Sequence, residues 1–487
     1  MISSLKPLLA GLCILAILSV WSQAEVREFT SSSGQKIVAT VLEVKDGKVT
    51  IQRKDGRTFT AAISLFSPAD QEFFNQWKPA GTSAGSSSDW YQWRGPNRNA
   101  ISDESGLMSA WEDSGPSLLW RNRGLGSGMS SLVISGDHFF TMGQIDGKTM
   151  ILCRKLEDGS EVWSTPIGTG EPNCTPTVDP ESGLVFGLSK KGELACLNTE
   201  DGSLVWSTDF QRDFGGQMMS GWGYSESPLV DGDRLICSPG GDEALLAALD
   251  KRTGETIWKT RAPDGDLGPA GKAGAGYGSI VISNGAGIKH YVQLVGRGLV
   301  GVSAEDGRLL WNYNRIANGT ANVPTPIVSG DLVFGSTGYN DGGSALLELR
   351  KRGNSGVSAN ERYYKSNREL QNHHGGMILL GEHLYLGHGH NNGFPACIEL
   401  ESGEALWEID RGPGSGSAAI VYADGHLYFR YQDHTMALFE ANPNELKLKG
   451  TFKIASSNKE SWPHPVIQDG KLYLRDQDEI LCYDIKG

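Results

Sequence analysis

From Asp89 to the C-terminus, apolar and polar positions alternate in short runs broken by turn residues, and one phrase returns. It reads "ILCRKLEDGSEVWSTP" at 151–166, "LACLNTEDGSLVWSTDF" at 194–210, "LAALDKRTGETIWKT" at 246–260, "LVGVSAEDGRLLWNY" at 299–313 and "ACIELESGEALWEI" at 396–409. Each copy has an apolar run, an Asp-Gly, Thr-Gly or Ser-Gly turn, and a tryptophan four residues after the glycine. Alternation on both sides of a tight turn predicts β-hairpins. The tryptophans fall at Trp120, Trp163, Trp206, Trp258, Trp311 and Trp407, and Tyr364 and Phe452 fill the two gaps. A strand-turn-strand phrase is interleaved, for example "SSLVISGDHFFTM", "ESPLVDGDRLICS" and "PTPIVSGDLVFGS". Eight hairpins thus alternate with eight tryptophan-type strands. A period of roughly 40–50 residues built only from strands and turns predicts an all-β fold, an eight-bladed β-propeller over 89–487. The Trp120 strand precedes every hairpin, and "EILCYDIKG" has no tryptophan strand after it. Pairing the strand ending at Trp120 with the one around Leu481–Ile485 closes the ring and removes both free edges.

The first eighty-eight residues have another pattern. Residues 1–24 read as a secretory signal peptide: Lys6, an apolar stretch from Leu8 to Val20, then Ser22-Gln23-Ala24. Periplasmic or secreted localisation follows, with any membrane association indirect. Residues 25–78 alternate strictly, with turns at Asp46-Gly47 and Asp55-Gly56, which predicts a β-meander of about five strands. A short helix from Ser67 or Pro68 to Trp77 follows. "PAGTSAGSSS" at 79–88 has the composition of a flexible linker.

Charge and cysteine content narrow the partners. A net charge of −13 argues against nucleic acid and anionic lipid. Cys153, Cys196 and Cys397 each stand ten residues before a repeat tryptophan, where other copies carry Ala248 and Gly301. Equivalent sites of different repeats lie far apart, so these cysteines and Cys482 are expected to be reduced, buried packing residues.

The phrase ending Gly-x-x-x-Trp resembles the tryptophan-docking motif of the pyrroloquinoline-quinone-like propellers, over about four-fifths of the chain. That family includes the barrel-assembly lipoprotein of the outer membrane and the quinoprotein dehydrogenases. "DWYQWRGPNRNAISDESGL" resembles the opening of exported bacterial propellers of this kind. The resemblance implies that the repeat tryptophans lie on outermost strands and wedge between blades, a structural role. The unit at 25–78 resembles the Sla-one homology domain, an SH3-like barrel that binds short peptides in endocytic adaptors.

The resemblance also frames the chemistry. Its dehydrogenases set a vicinal disulfide against the quinone and hold calcium with Glu, Asn and Asp. No two cysteines are adjacent here and no carboxylate matches those ligands, so neither quinone nor calcium is expected. In a blade with strands A to D from the axis outward, the D-to-A and B-to-C loops share one face. The long loops are mostly there: 209–227, 261–279, 336–344, 366–377 and 387–395. Function concentrates in such loops. Trp222, Tyr224, His434 and His464 are candidates for the binding face, with Tyr277 and Trp462 adding aromatic area. His373, His374, His388 and His390 share one blade and, with Asp433, Asp476 and Asp478 near, are the candidate ligands for a transition metal. No catalytic residue is assigned. The sequence reads as a monomeric, non-catalytic binding propeller for a protein, peptide or glycan. A quinone-dependent dehydrogenase and a metal-binding propeller are the alternatives.

Overall fold

A computed structural model describes residues 27–32, 36–45, 47–53, 58–76, 89–339, 341–454, 460 and 462–487. The expected signal peptide and linker lie outside the described residues. The chain divides into two compact units, 1–88 and 89–487.

In the first unit the strands Arg27–Thr30, Lys36–Lys45, Lys48–Arg53 and Thr58–Ala62 form one antiparallel sheet in sequence order. Four strands are described, rather than about five, because the run after Ala62 turns into a 3-10 turn, Ile63–Leu65, and then the helix Pro68–Gln76. The Ser67 hydroxyl donates to the Asp70 carboxylate, which also accepts the Thr30 N–H, so the helix start is tied to the first strand. Phe29, Phe66 and Phe74 meet in the core beneath.

In the second unit the eight sheets run 132–169, 177–209, 229–259, 281–313, 327–366, 372–399, 418–453 and 466–484, here blades one to eight. The strand Ser117–Arg123 joins the eighth sheet as its outermost member, with Cys482 opposite Trp120. The ring is closed as the sequence requires, by the two ends of the same unit.

The repeated phrase is explained by what sits against each indole. Trp163, Trp206 and Trp258 reach the turn glycine of the following blade, Gly202, Gly254 and Gly307, all at positive φ. A Cβ on these glycines would come within 2.6, 2.7 and 2.4 Å of the ring. Trp120 meets Gly159 in the same way. The indole N–H of Trp163, Trp206 and Trp407 donates to the carbonyls of Thr199, Lys251 and Asn442, also in the next blade. Across the sheet, Cys153, Cys196, Ala248, Gly301 and Cys482 pair directly with their tryptophans. Small residues are needed there because the indole folds back over its partner: a Cβ on Gly301 would lie 2.1 Å from Trp311. All six described cysteines are buried and free.

Three details depart from the sequence reading. In blade five the docking ring is Tyr363, not Tyr364. The bulge that immediately precedes Trp120, Trp163, Trp206, Trp258 and Trp311 here precedes Tyr363, which packs on Gly403 and donates to the Leu400 carbonyl. Tyr364 instead lies under the Arg315 guanidinium. Blade six has three strands, and Trp407 reaches its dock from a non-strand segment. In blade seven Gly450, facing Trp111, holds the tryptophan's register, and Phe452, two residues on, supplies the ring against Gly115.

The glycine-indole contact gives a direct test. Gly254 and Gly232 both have positive φ, but only Gly254 faces an indole, while nothing lies within 4 Å of a Cβ on Gly232. Gly232→Ala is expected to cost about 1 kcal/mol for its backbone alone. Gly254→Ala is expected to cost about 1–3 kcal/mol more, because the indole has to move. Thermal or urea denaturation of the two variants measures the difference, and equal losses contradict the docking role.

Candidate functional site

The opening segment of the second unit does not run over the surface; it crosses the axis. The Trp90 and Tyr91 carbonyls accept the N–H groups of Ile134 and Val178 in the inner strands of blades one and two. Arg98 donates to the Ser227 and Pro228 carbonyls beside blade three. Trp93 donates to Thr325 before blade five, and Arg94 to the Met377 carbonyl in blade six. Ala100 and Ser102 pair with Tyr422 in blade seven, and Trp90 N–H meets Gln468 in blade eight. Residues 89–102 are therefore a plug. Arg94, Arg98 and Ala100 all hold positive φ, an unfavourable conformation for non-glycine residues that only such many-sided anchoring sustains.

Around the plug runs a belt of hydroxyls just before the inner strands. Thr175 accepts the Ser131 N–H, Ser227 that of Thr175, Ser279 that of Ser227, and Thr325 that of Ser279, at 3.0–3.1 Å. The belt satisfies backbone donors that an open channel would leave unpaired. Beyond it the sequence changes to Asn372-His373-His374-Gly375-Gly376.

Plug and belt together make a blind cavity of about 340 Å³ on the loop-rich face. Trp93 and Arg94 line it from the plug, His373 and His374 from the start of the first strand of blade six, and Trp222, Tyr277, Tyr339, His390, Trp462 and His464 from the surrounding loops. Every wall loop is a D-to-A or B-to-C connection, the placement expected from loop length. The rings form a connected wall. Tyr339 touches His373 and His390, His373 stacks on His374 at 3.5 Å, His374 meets Trp462, and His464 packs on Trp93 at 4.5 Å.

The sequence candidates separate here. Trp222, Tyr277, His373, His374, His390, Trp462 and His464 line the cavity. Tyr224 does not: it is buried against Phe210 and donates to the Pro239 carbonyl. His388 stands at the end of a strand, where its Nδ1 accepts the Gln371 N–H. His434 lies 3.5 Å from Asp476, itself 3.6 Å from Arg430. Asp433 is bound to Lys453 and Asp478 accepts the Gly126 N–H, so the aspartates do not join the histidines. Nor do the histidines form a ligand set. His373 and His374 present ring faces to one another, 25° from parallel, while metal-binding lone pairs lie in the ring plane. His373 Nδ1 is engaged by Ser417 at 2.7 Å. Among the described residues no three His, Cys, Asp or Glu side chains are placed to hold a metal.

The sequence reading missed Arg94, which stands in the quoted "QWRGPN". Its side chain is buried, and burial together with nearby Arg98 pulls its guanidinium down to about 9. Arg98 has an acid near it: Glu226, whose carboxyl burial raises to about 8. Arg94 donates only to carbonyls, and its Nε and Nη1 have no partner. His373 Nε2, His374 Nδ1 and His464 Nδ1 are likewise buried without a partner. Among the described residues Glu460 is the only carboxylate residue on the wall. The signal that could have exposed Arg94 is an arginine between tryptophan and glycine in an apolar opening, with no acid nearby in sequence.

The buried imidazoles make stability depend on pH. Burial, and the charges of Arg94, Arg430 and His374, hold His464 down to about 3, and burial beside His374 and His390 holds His373 down to about 2. The unfolded chain takes up these protons near pH 6.5, while the folded one does not until far lower. Stability is therefore full above 6.5 and falls as the solution is acidified below it. By pH 5 each buried imidazole is expected to cost on the order of 2 kcal/mol. Denaturation midpoints across pH 5–8 check this, and His464→Gln is expected to flatten the profile.

Among solved structures, the chain is similar to BamB from Moraxella catarrhalis, with a TM-score of 0.54 at 11% identity, covering 76% of this chain and 100% of that one. It is also similar to the quinohemoprotein alcohol dehydrogenase of Comamonas testosteroni, with a TM-score of 0.56 at 12% identity, over 83% and 81% of the two chains. A second such dehydrogenase, from Pseudomonas putida HK5, gives 0.57 at 13% identity over 82% and 80%. These likenesses concern the fold alone. No curated protein matches the sequence. Residues 148–408, more than half of the chain, match the model of the outer membrane protein assembly factor BamB family, and the chain belongs to that family.

Proposed function

We propose that this chain is an exported, non-catalytic binding propeller that receives a protein, peptide or glycan partner on its loop-rich face. The observation that carries this reading is the blind cavity closed below by the Asp89–Ser102 plug and walled by aromatic rings. Such a concave, mostly apolar site with a few placed polar groups is how binding pockets are built. Export rests on residues 1–24, and no helix among the described residues is long and apolar enough to cross a membrane. For the first unit we propose the SH3-like fold of the Sla-one homology domain, supported by its sheet in sequence order.

The quinone-dependent alternative fits these residues poorly. Calcium needs several oxygen donors. Here the described residues of the wall offer one carboxylate, Glu460, amid Arg94 and four imidazoles. The six described cysteines are single and buried, which removes the vicinal disulfide. No step is therefore routed through a quinone.

Two measurements test the reading. The mature chain, incubated with pyrroloquinoline quinone and calcium, is expected to reduce no dye with alcohols or aldoses; calcium-dependent turnover overturns the proposal. On glycan and peptide arrays it is expected to retain a ligand. Trp222→Ala, which removes a 58% exposed ring, is expected to weaken that capture about tenfold at unchanged thermal stability.

A further inference from the structure

Of the buried arginines of the propeller, Arg154 is paired with Glu161, and the other four divide by their partners. Arg475 donates to the carbonyls of Ser130, Met142, Gln477 and Gly126 and to the Thr141 hydroxyl, a cage that uses both terminal nitrogens. Arg430 donates to the Pro463 carbonyl and lies beside Asp476. Arg98 has three acceptors and the Glu226 carboxyl near it. Arg94 alone among these four lines the cavity; its Nε and Nη1 are unused, and among the described residues no acid is paired with it. A buried charge left unpaired is strongly unfavourable, so its retention calls for an acceptor that arrives from outside.

The surroundings of Arg94 share its bias toward donors. Gly376 lies over the guanidinium, where a Cβ would come 3.4 Å from Cζ, so its missing side chain keeps the approach short. The Asn391 carbonyl is engaged by Ser417 and the Gln432 carbonyl by Trp462, which leaves their NH2 ends as donors on the same wall. Unpaired nitrogens of His373 and His374 lie on the same wall, whereas His464 donates its Nε2 proton to the His374 carbonyl, which leaves its Nδ1 an acceptor. In an acidic protein, this cavity is lined by groups that favour an acceptor-rich, anionic guest.

The walls indicate what carries the anion. Trp93, Trp222 and Trp462 offer flat apolar faces, and amides and hydroxyls lie between them. A blind volume of about 340 Å³ suits a ring at the end of a chain better than an extended peptide passing through. We infer that the cavity binds the terminal sugar of an acidic glycan, a uronic acid whose ring lies among the tryptophans and whose carboxylate is received by Arg94. This rests on the binding reading above and names its ligand class.

Calorimetric titration of the mature chain with D-glucuronate, methyl β-D-glucoside and acetate separates ring from charge. Glucuronate is expected to bind saturably, at one site, about tenfold or more tighter than either of the others. Arg94→Gln is expected to abolish the preference for glucuronate over the glucoside. If that variant does not fold, Trp222→Ala serves instead: it should weaken glucuronate and glucoside alike and leave acetate unchanged. Equal binding of the glucoside removes the anion assignment while leaving a sugar-binding propeller. Equal binding of acetate reduces the site to an anion trap and overturns the glycan. Absence of glucuronate binding overturns the inference, and array capture then still decides the broader reading.

Discussion

The contact between an indole and a glycine of the next blade is the constraint on which this propeller depends. A blade is a twisted sheet with apolar surfaces on both sides, and it is stable only when flanked by two others. The indole supplies large apolar area at that seam, and in three blades its N–H also ties down a neighbouring carbonyl. The contact requires a turn residue without a side chain in front of it and a small residue behind it. That is why glycine, tryptophan and a cysteine, alanine or glycine travel together through the sequence. The same requirement makes ring closure strict, because the Trp120 strand has to be seated in blade eight before Gly159 can receive its indole.

A closed ring of eight blades leaves an axial opening, and the way it is filled determines what the protein can bind. Here the chain fills it with its own Asp89–Ser102 segment, which takes hydrogen bonds from or gives them to seven of the eight blades. The hydroxyl belt is the counterpart on the blades, satisfying inner backbone donors in sequence from blade one to blade five. Where the belt ends, the His373–Gly376 stretch opens room for the cavity. The cavity thus draws on both arcs, with Ser227, Ser279 and Thr325 of the belt on one side and His373, His374 and His464 on the other.

The fold was legible because its determinants are local. The Gly-x-x-x-Trp phrase and the interleaved hairpins each lie within one short stretch, and counting them yields both the blade number and the closing pair. Tyr363 was misplaced by one residue because a bulge, invisible to spacing, sets which ring faces the next blade. The site was legible only as a face. Long loops located it, yet Tyr224, His388 and His434 lie on the same loops and turn elsewhere. What separates them from His373 and Trp462 is direction, which depends on contacts across hundreds of residues. Arg94 was missed for the same reason: in sequence it is one polar residue in an opening segment, and only the folded ring makes it a buried cation.

That cation changes how the acidic composition is read. A net charge of −13 describes the solvent-facing surface, which repels anionic polymers at a distance. Inside the cavity the local balance is reversed, with Arg94 unpaired and the imidazoles held neutral by burial. A long, uniformly charged polyanion is disfavoured by the surface before it reaches the cavity. A single carboxylate on a compact neutral ring encounters little of that repulsion and gains the desolvated arginine at the end of its path. Surface and cavity therefore select together for chain ends with isolated charge, and the selection comes from geometry rather than from net charge alone.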